Sequence, residues 1–255
     1  MPLEFVGQSL ALTSDGLATA ADNLSVGAAE IWAVLKVETS GAGYISDRRP
    51  PILYERHIFH KLTKPKFPIS DICNPEPGGY GNSGANQYLR LSTALALHRT
   101  AALQSASWGI AQIMGMNFKQ AGFENVEQMV AAMSGSEDAQ LASFVAFLEA
   151  NRLDKHLQSH NWTAFASKYN GPNFAANDYD NKLSRAFDKF AKGPLPDLKV
   201  RAAQLYLTFA HIDPGPIDGQ MGSITKKALL KFQQRQGLPQ TGEPDEATLK
   251  ALTPA

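Results

Sequence analysis

The hydrophobic pattern of the first 190 residues is mostly that of amphipathic helices. Apolar residues at 31–35 follow a candidate capping residue, Ser25, and predict a helix with a broad apolar face. Segments 93–103 and 137–157 carry apolar residues at three- and four-residue intervals, and Asn161 is expected to cap one more short helix. The pattern therefore predicts a mainly α-helical N-terminal domain.

Segment 41–84 departs from this pattern. Residues 50–59 are β-prone, whereas the chain from there to Gly84 is rich in proline, glycine and asparagine. We expect a short β-hairpin here, followed by a long irregular loop. Loops of that length inside a compact domain usually have a function.

The C-terminal part is set off by a cluster of two prolines and a glycine within 191–197, which interrupts a helix and indicates a linker. We expect one domain over 1–190, a linker over 191–196 and a smaller domain over 197–255. The smaller domain contains a repeat that predicts two glycine turns, each leading into a short helix, within a three-helix unit. Its two copies are Asp218-Gly219 with Thr225, Ala228 and Leu229, and Thr241-Gly242 with Thr248, Ala251 and Leu252.

Charge and cysteine content limit the partners and the setting. The 24 basic and 24 acidic residues give a net charge of zero without a basic stripe, which argues against nucleic acid as a partner. Cys73 is the only cysteine, so the fold depends on packing and suits a reducing cytoplasm. The N-terminus lacks the features of a signal peptide, and no stretch approaches the ~20 apolar residues that span a bilayer. We expect a monomer that is made in the cytoplasm and does not insert into a membrane.

Glu38 is the first candidate for chemistry because it closes the largely apolar segment 31–37. Burial among apolar groups and the negative C-terminal end of a helix both favour the protonated form of a carboxyl group. A carboxylic acid that stays protonated near neutral pH is what cleavage of a glycosidic bond requires. Gly41 and Gly43 follow at once and would open the chain into a cleft. From this segment alone, the alternative is a solvated glutamate in the last helical turn.

Two further segments add to this candidate. Glu-Thr-Ser at 38–40, Ser-Trp-Gly-Ile-Ala-Gln-Ile-Met at 107–114 and Tyr-Asn-Gly at 169–171 resemble, in order and spacing, the three signature motifs of goose-type lysozymes and lytic transglycosylases. With segments 52–57 and 74–80, the wider pattern over about residues 15–190 resembles the N-acetylmuramidase family of modular phage endolysins. The resemblance implies a lysozyme-like helical domain with a small β-hairpin beside the cleft.

The resemblance also implies roles for single residues. Glu38 matches the catalytic acid, and Trp108 and Gln112 match the segment that lines the saccharide cleft. Tyr169 and Asn170 match the pair that approaches the acid and the sugar bound beside it. Trp108 and Tyr169 have an alternative as core residues, the tyrosine with its hydroxyl hydrogen-bonded.

A second carboxylate is needed if hydrolysis proceeds with inversion, because a base must then activate water on the opposite face of the sugar. Glu55, Asp47 and Asp71 are the candidates, and Glu55 is preferred because it lies in the family-like segment 52–57. Glu55 and Asp47 have an ordinary explanation as well, since an ion pair with an arginine would account for either. Transglycosylases dispense with this base, because the substrate's own 6-hydroxyl attacks.

Residues 197–253 resemble the peptidoglycan-binding module of many cell-wall hydrolases. Together the two resemblances imply an endolysin that cleaves the β-1,4 bond between N-acetylmuramic acid and N-acetylglucosamine in peptidoglycan. We expect it to reach the periplasmic wall after release during phage or prophage lysis. The alternatives are a lytic transglycosylase giving 1,6-anhydro products and a wall-binding protein without catalysis.

Metal and thiol chemistry have weaker support in the sequence. His156 and His160 stand at helical i, i+4 spacing, but no third ligand and no His-Glu-x-x-His motif accompany them. Cys73 has no histidine close in sequence. We therefore expect neither a metal nor another cofactor.

Overall fold

The computed structural model describes nearly the whole chain. The described residues are 3–38, 41–64, 66–171 and 178–254, without the side chains of Glu38 and Asn170.

Helices dominate both parts of the molecule, as predicted. The N-terminal part contains α1 Ser14–Leu24, α2 Ala28–Glu38, α3 Arg56–Thr63, α4 Ala85–Gln104, α5 Val126–Gly135, α6 Glu137–Ala150, α7 Asp154–Gln158, α8 Trp162–Asn170 and α9 Tyr179–Lys192. The C-terminal part contains α10 Leu198–Phe209, α11 Ser223–Gln236 and α12 Glu246–Leu252, which confirms the three-helix unit. Within the described residues, no helix is long and apolar enough to cross a membrane.

A small antiparallel sheet accompanies the helices. Its strands are β1 Ile52–Tyr54, β2 Ala106–Trp108 and β3 Ile113–Met114, in the order β1-β2-β3. Ile52 lies opposite Trp108, which in turn lies opposite Ile113. The sheet therefore joins the segment after the first motif to the segment of the second motif.

The prediction of a β-hairpin within 41–84 is wrong. Only 52–54 is a strand there, and its partner is β2, more than 50 residues later in sequence. The hairpin of this sheet is β2–β3, inside the second motif. The β-prone reading of 50–59 fails after Tyr54 because α3 begins at Arg56, and this helix buries Phe59 and Thr63, which are one helical turn apart.

Other helix boundaries also differ from the prediction. Ser25 adopts the left-handed conformation and ends α1, so it does not cap the start of α2. Segment 137–157 is two helices, α6 and α7, because Arg152 turns the chain with a φ of 55°. Asn161 does cap α8, accepting a hydrogen bond from the backbone N–H of Ala164 at 3.1 Å.

The helix predicted over 93–103 lies inside α4 but is interrupted. His98 has φ −160° and ψ 96°, which is not helical. Its Nδ1 accepts a hydrogen bond of 3.3 Å from the backbone N–H of Ala101. The histidine side chain thus satisfies a donor that an unbroken helix would have paired with a carbonyl.

Two hydrophobic cores meet where the domains meet. The larger core fills the N-terminal part, and the smaller one surrounds α10, α11 and α12. The smaller core also contains Ala11, Ala42 and Tyr44 from the N-terminal part. The backbone N–H of Ala11 donates to the hydroxyl of Tyr206 on α10 at 2.8 Å. The C-terminal domain is therefore packed against the N-terminal domain as well as linked to it.

Each copy of the C-terminal repeat is held by a buried glutamine on the preceding helix. Gln204 accepts a hydrogen bond from the N–H of Gly219 at 2.9 Å and donates to Thr225 Oγ1 at 3.1 Å. Gln233 does the same with the equivalent glycine and threonine of the second copy, at 2.9 and 3.0 Å. The two copies of the repeat therefore have the same local structure, a glycine turn held by a buried glutamine.

Candidate active site

Helix α2 supplies the first motif from a buried position. Its residues from Ile31 to Leu35 are each at most 5% exposed, and the helix packs against α9, with the rings of Trp32 and Phe190 6.5 Å apart. The described part of the helix extends to Glu38. The Glu38 side chain and residues 39–40 lie outside the described residues, so the role of Glu38 stays a prediction.

Gln112 organises the turn that carries the second motif. Its amide nitrogen donates to the carbonyls of Gly109 at 2.9 Å and Pro51 at 3.1 Å, and its amide oxygen accepts from Ser107 Oγ at 2.7 Å. Gly109 has a φ of 72°, a conformation that favours glycine. The predicted role in the saccharide cleft is not tested, but these bonds show that Gln112 links β1 to the β2–β3 turn.

Trp108 has a different position from the one implied by the resemblance. Its side chain is 0% exposed, and its indole N–H donates to the carbonyl of Leu103 at 3.0 Å. The rings of Phe5 and Tyr88 pack against it edge-on. In this structure Trp108 is a core residue that supports the turn, since a side chain without exposed area does not line a cleft.

Tyr169 joins the third motif to the second. Its hydroxyl donates to the carbonyl of Ala111 in the β2–β3 turn at 2.7 Å. Its ring stacks on Phe165 and meets Phe144 edge-on, with centroids 5.6 and 5.7 Å apart. Asn170 is the last residue of α8, and its side chain lies outside the described residues.

Gln140 joins the segment after Glu38 to the same turn. Its amide oxygen accepts from the backbone N–H of Ile110 at 2.6 Å, and its amide nitrogen donates to the carbonyl of Gly43 at 2.9 Å. A Cβ on Gly43 would lie 2.4 Å from the Gln140 amide oxygen, so this close approach requires glycine. The second and third motif segments and the chain just after the first are thus connected by short hydrogen-bond paths.

Glu137 fixes the same segment from the start of α6. Its carboxylate is 0% exposed and accepts hydrogen bonds from the N–H groups of Gly43 at 2.7 Å and Leu12 at 2.8 Å. It also forms a two-pronged ion pair with Arg201 of the C-terminal domain, and Arg201 Nη2 donates to the carbonyl of Gly41 at 2.8 Å. The chain just after Glu38 is therefore held partly by the C-terminal domain.

The electrostatics of this pair follow from its burial. Removal from water alone would raise the pKa of the Glu137 carboxyl group. The guanidinium charge of Arg201, its hydrogen bonds and the two backbone N–H groups outweigh that effect and lower the pKa. Glu137 is therefore an ionised acceptor in the folded protein and unsuited to donate a proton near neutral pH.

Glu55 has the most suitable surroundings among the three candidates for the second carboxylate. It lies directly before α3, whose N-terminus favours negative charge. Its side chain is 15% exposed, and Oε2 lies 3.1 Å from Nδ1 of His57, in an orientation that makes no hydrogen bond. Burial and the nearby Glu55 charge raise the pKa of Tyr80. The neighbours of Glu55 are thus a histidine and a tyrosine, rather than the arginine partners considered from sequence.

Asp47 and Asp71 have ordinary surroundings. Asp47 accepts hydrogen bonds from Arg49 Nη2 at 2.6 Å and Nε at 3.1 Å, which confirms the arginine pairing considered from sequence. Asp71 is exposed in the long loop, and its backbone carbonyl accepts from Arg90 at 3.0 Å. Asp47 is therefore engaged within its own turn, and Asp71 is exposed to water.

The histidines have structural partners. His160 lies 2.7 Å from a carboxylate oxygen of Glu30 and stacks on Trp162 with ring centroids 5.5 Å apart. Among the described residues, no group of three or more His, Cys, Asp or Glu side chains is placed to hold a metal ion. Cys73 is buried as a free thiol.

Sequence reasoning missed Glu137, Gln140 and Arg201. The first two stand in a helix with a wide apolar face, which was the only available signal. Polar side chains at buried positions usually have hydrogen-bond partners. The partners here are backbone groups near residues 12, 43 and 110 and a side chain in another domain, and helical spacing carries no information about such distant contacts.

Comparisons with known proteins match both parts of the chain. Residues 27–191 match the N-acetylmuramidase family, and residues 197–252 match the putative peptidoglycan binding domain. The crystal structure of Burkholderia AP3 phage endolysin is 42% identical in sequence with a TM-score of 0.66, and the match covers 71% of this chain and 71% of that chain. None of the curated proteins matches.

Proposed function

Because this chain belongs to the N-acetylmuramidase family of glycoside hydrolases that act on peptidoglycan, we propose that it hydrolyses the β-1,4 bond between N-acetylmuramic acid and N-acetylglucosamine. Glu38 gives a proton to the glycosidic oxygen as the bond from the sugar's C1 to that oxygen breaks. Water adds to C1, and a second carboxylate accepts its proton. One water is consumed for each bond cleaved.

The meeting of the three motif segments is the observation that carries this proposal. Gly43, five residues after Glu38, is joined to the β2–β3 turn by Gln140, and Tyr169 near the end of α8 reaches the same turn through its hydroxyl. The motifs span more than 130 residues of sequence but share one turn in the fold.

Glu55 is our choice for the second carboxylate. The Glu55 side chain is 15% exposed and forms no ion pair with an arginine among the described residues, whereas Asp47 is paired with Arg49. A base must accept a proton from water, so a partly exposed carboxylate without a guanidinium partner suits the role better than one held by an arginine. The nearby His57 imidazole would orient this carboxylate.

The setting follows from the second domain and the structural relative. The peptidoglycan-binding match of residues 197–252 indicates that this domain holds the enzyme on its polymer. The similar crystal structure is that of a phage endolysin. We therefore assign this enzyme to wall lysis at the end of a phage infection, where it reaches the periplasmic wall after release from the cytoplasm.

Turbidity clearance of purified peptidoglycan tests the acid. Glu38→Gln keeps the shape of the side chain but cannot donate the proton, and we expect clearance to fall about 10²–10⁴-fold. Asp47→Asn is the matched control, since it also removes one carboxylate and should leave clearance within about twofold. Clearance that survives Glu38→Gln would contradict the assignment. Sedimentation on the wall without any clearance by the unaltered protein would favour the non-catalytic alternative.

Mass spectrometry of the released fragments tests the reaction type. Hydrolysis gives reducing-end N-acetylmuramic acid, whereas transglycosylation gives 1,6-anhydro products lighter by one water. We expect the hydrolytic products from the unaltered protein. Glu55→Gln should lower their rate without introducing anhydro products, and anhydro sugars as the main product would replace this proposal with the transglycosylase alternative.

A further inference from the structure

A cavity of about 290 Å³ lies between the two domains. One side comes from α2 and α9 and the other from α10 and the loop at 216–220, so neither domain forms it alone. Its volume is close to the lower end of the range for small-ligand sites. The cavity also touches Gly41 and Ile110, next to the first two motif segments.

Some of the charged side chains around this interdomain cavity have an ion-pair partner and others have none among the described residues. Lys36 and Lys189 line it, both are exposed, and neither forms an ion pair with a described acidic side chain. Arg201 lines it too, but Glu137 neutralises that charge. Asp218 is the one acidic side chain among the lining residues. The two lysines therefore leave the cavity with a positive excess that suits an anionic ligand.

The rest of the lining is apolar. Trp32, Ile110 and Phe190 are each at most 6% exposed and form part of the wall. The indole N–H of Trp32 is buried without an acceptor among the described residues, and a ligand oxygen that reached it would remove that cost. The lining thus matches a ligand that combines carboxylates with small apolar groups.

We propose that the interdomain cavity binds the stem peptide of peptidoglycan, an inference that rests on the proposed function. This peptide carries carboxylates, alanine methyl groups and one amino group. Lys36 and Lys189 pair with the carboxylates, the apolar wall contacts the methyl groups, and Asp218 faces the amino group. Both domains then bind the same repeating unit of the polymer.

The position of the cavity fits the branching of the substrate. The stem peptide is attached to the N-acetylmuramic acid whose bond is cleaved. Lys36 is in the last turn of α2, two residues before Glu38. A four-residue peptide spans at most roughly 14 Å when extended, which covers the distance from the end of a helix to a cavity along its last turn.

Calorimetric titration of the full chain tests the site without requiring activity. The ligand is the N-acetylated stem tetrapeptide, which has one amino group like the wall-bound peptide, and its methyl ester is the comparison without carboxylates. We expect the acid form to bind and the ester to bind several-fold more weakly. The variant Lys36→Gln/Lys189→Gln should weaken binding of the acid form roughly three- to tenfold, as expected for two solvent-screened ion pairs. This effect should shrink in about 0.5 M salt.

The matched control is Lys119→Gln/Lys155→Gln, which removes two exposed lysines that do not line the cavity. It makes the same change in net charge and should leave binding of the tetrapeptide unchanged. Equal weakening by the two double variants, equal binding of acid and ester, or no binding at millimolar tetrapeptide would each overturn the proposal.

Kinetics place the site on the reaction path. Soluble glycan strands with intact stem peptides are compared with the same strands after the peptides are removed. The ratio of kcat/KM for the two substrates should fall roughly fivefold in Lys36→Gln/Lys189→Gln, through KM. An unchanged ratio would refute the proposal. Inactivity of the unaltered protein on both substrates would refute the proposed function instead, and the titration would still decide whether the cavity binds the peptide.

Discussion

The ion pair between Arg201 and Glu137 gives the sharpest test of how the domains are joined. Arg201 is 2% exposed and Glu137 is 0% exposed, so both charges lie out of water. Arg201→Met keeps much of the volume of the side chain and removes the cation. The Glu137 carboxylate would keep its backbone donors at Leu12 and Gly43 but would be buried without a counter-charge.

The expected cost follows from that unpaired charge. Removing one partner of a buried ion pair typically destabilises a protein by ~3–5 kcal/mol. For a chain of this size, 1 kcal/mol shifts the midpoint of thermal unfolding by ~2–4 °C, so we expect a fall of roughly 6–20 °C. The double variant Glu137→Gln/Arg201→Met buries no charge and should cost much less, about 1–2 kcal/mol from lost hydrogen bonds.

The pH dependence of this loss has a predictable sign. In the unaltered protein the folded-state pKa of Glu137 is lowered, so its contribution is present above the unfolded value of about 4.3 and is lost as pH falls through the folded value. In Arg201→Met, burial without the cation should raise the folded-state pKa. The stability of the variant then depends on pH in the opposite sense, and its free energy of unfolding should approach that of the unaltered protein as pH falls.

Circular dichroism melts of the three proteins at about pH 7 and about pH 4 measure these effects. A cost for Arg201→Met below about 1 kcal/mol at pH 7 would refute the reasoning. Equal costs for the single and the double variant would refute it as well, because the argument attributes most of the loss to the uncompensated carboxylate.

Four further substitutions test the turns described above. Gln112→Ala should cost about 1–3 kcal/mol and reduce peptidoglycan clearance, because it removes three part-buried hydrogen bonds that hold the β2–β3 turn; a melt and a turbidity assay check both, and unchanged values would contradict the role of this side chain. Tyr169→Phe keeps the aromatic packing but loses the hydrogen bond to Ala111, so we expect the free energy of unfolding to fall by about 1 kcal/mol and clearance to slow. The melting of Phe165→Tyr serves as a packing comparison. Gln204→Leu and Gln233→Leu should each destabilise the C-terminal domain by about 1–3 kcal/mol and weaken sedimentation on peptidoglycan; a large difference between the two would show that the repeat copies are not equivalent.

Local features could be predicted from the sequence because they depend on neighbours in the chain. The apolar run up to Glu38 predicts a buried helix, and the structure confirms a helix over Ala28–Glu38 with residues 31–35 buried. Asn161 caps its helix through a bond three residues away, which is a local signal. The repeat after residue 197 similarly identifies the turns of the C-terminal domain. The three motifs, read in order, identified the family.

Predictions failed where distant residues decide the conformation. Segment 50–59 is β-prone, yet α3 begins at Arg56 because Phe59 and Thr63 are buried on one face of a helix. Trp108 belongs to a motif associated with the cleft, but packing encloses its ring completely. Composition and spacing do not state which side of a residue faces the core.

The residues that hold the candidate site together were decided by the tertiary structure alone. Arg201 reaches Glu137 across 64 positions in sequence, and Gln140 reaches Gly43 across 97. Each of these contacts pairs polar groups that would be costly to bury without a partner, but no local sequence pattern indicates which residue the partner is. The sequence by itself determined the family, the helix that ends at Glu38 and the repeat. The packing of the two domains determined how the chain after Glu38 is held, because buried charges and backbone groups take their partners from whatever the fold brings beside them.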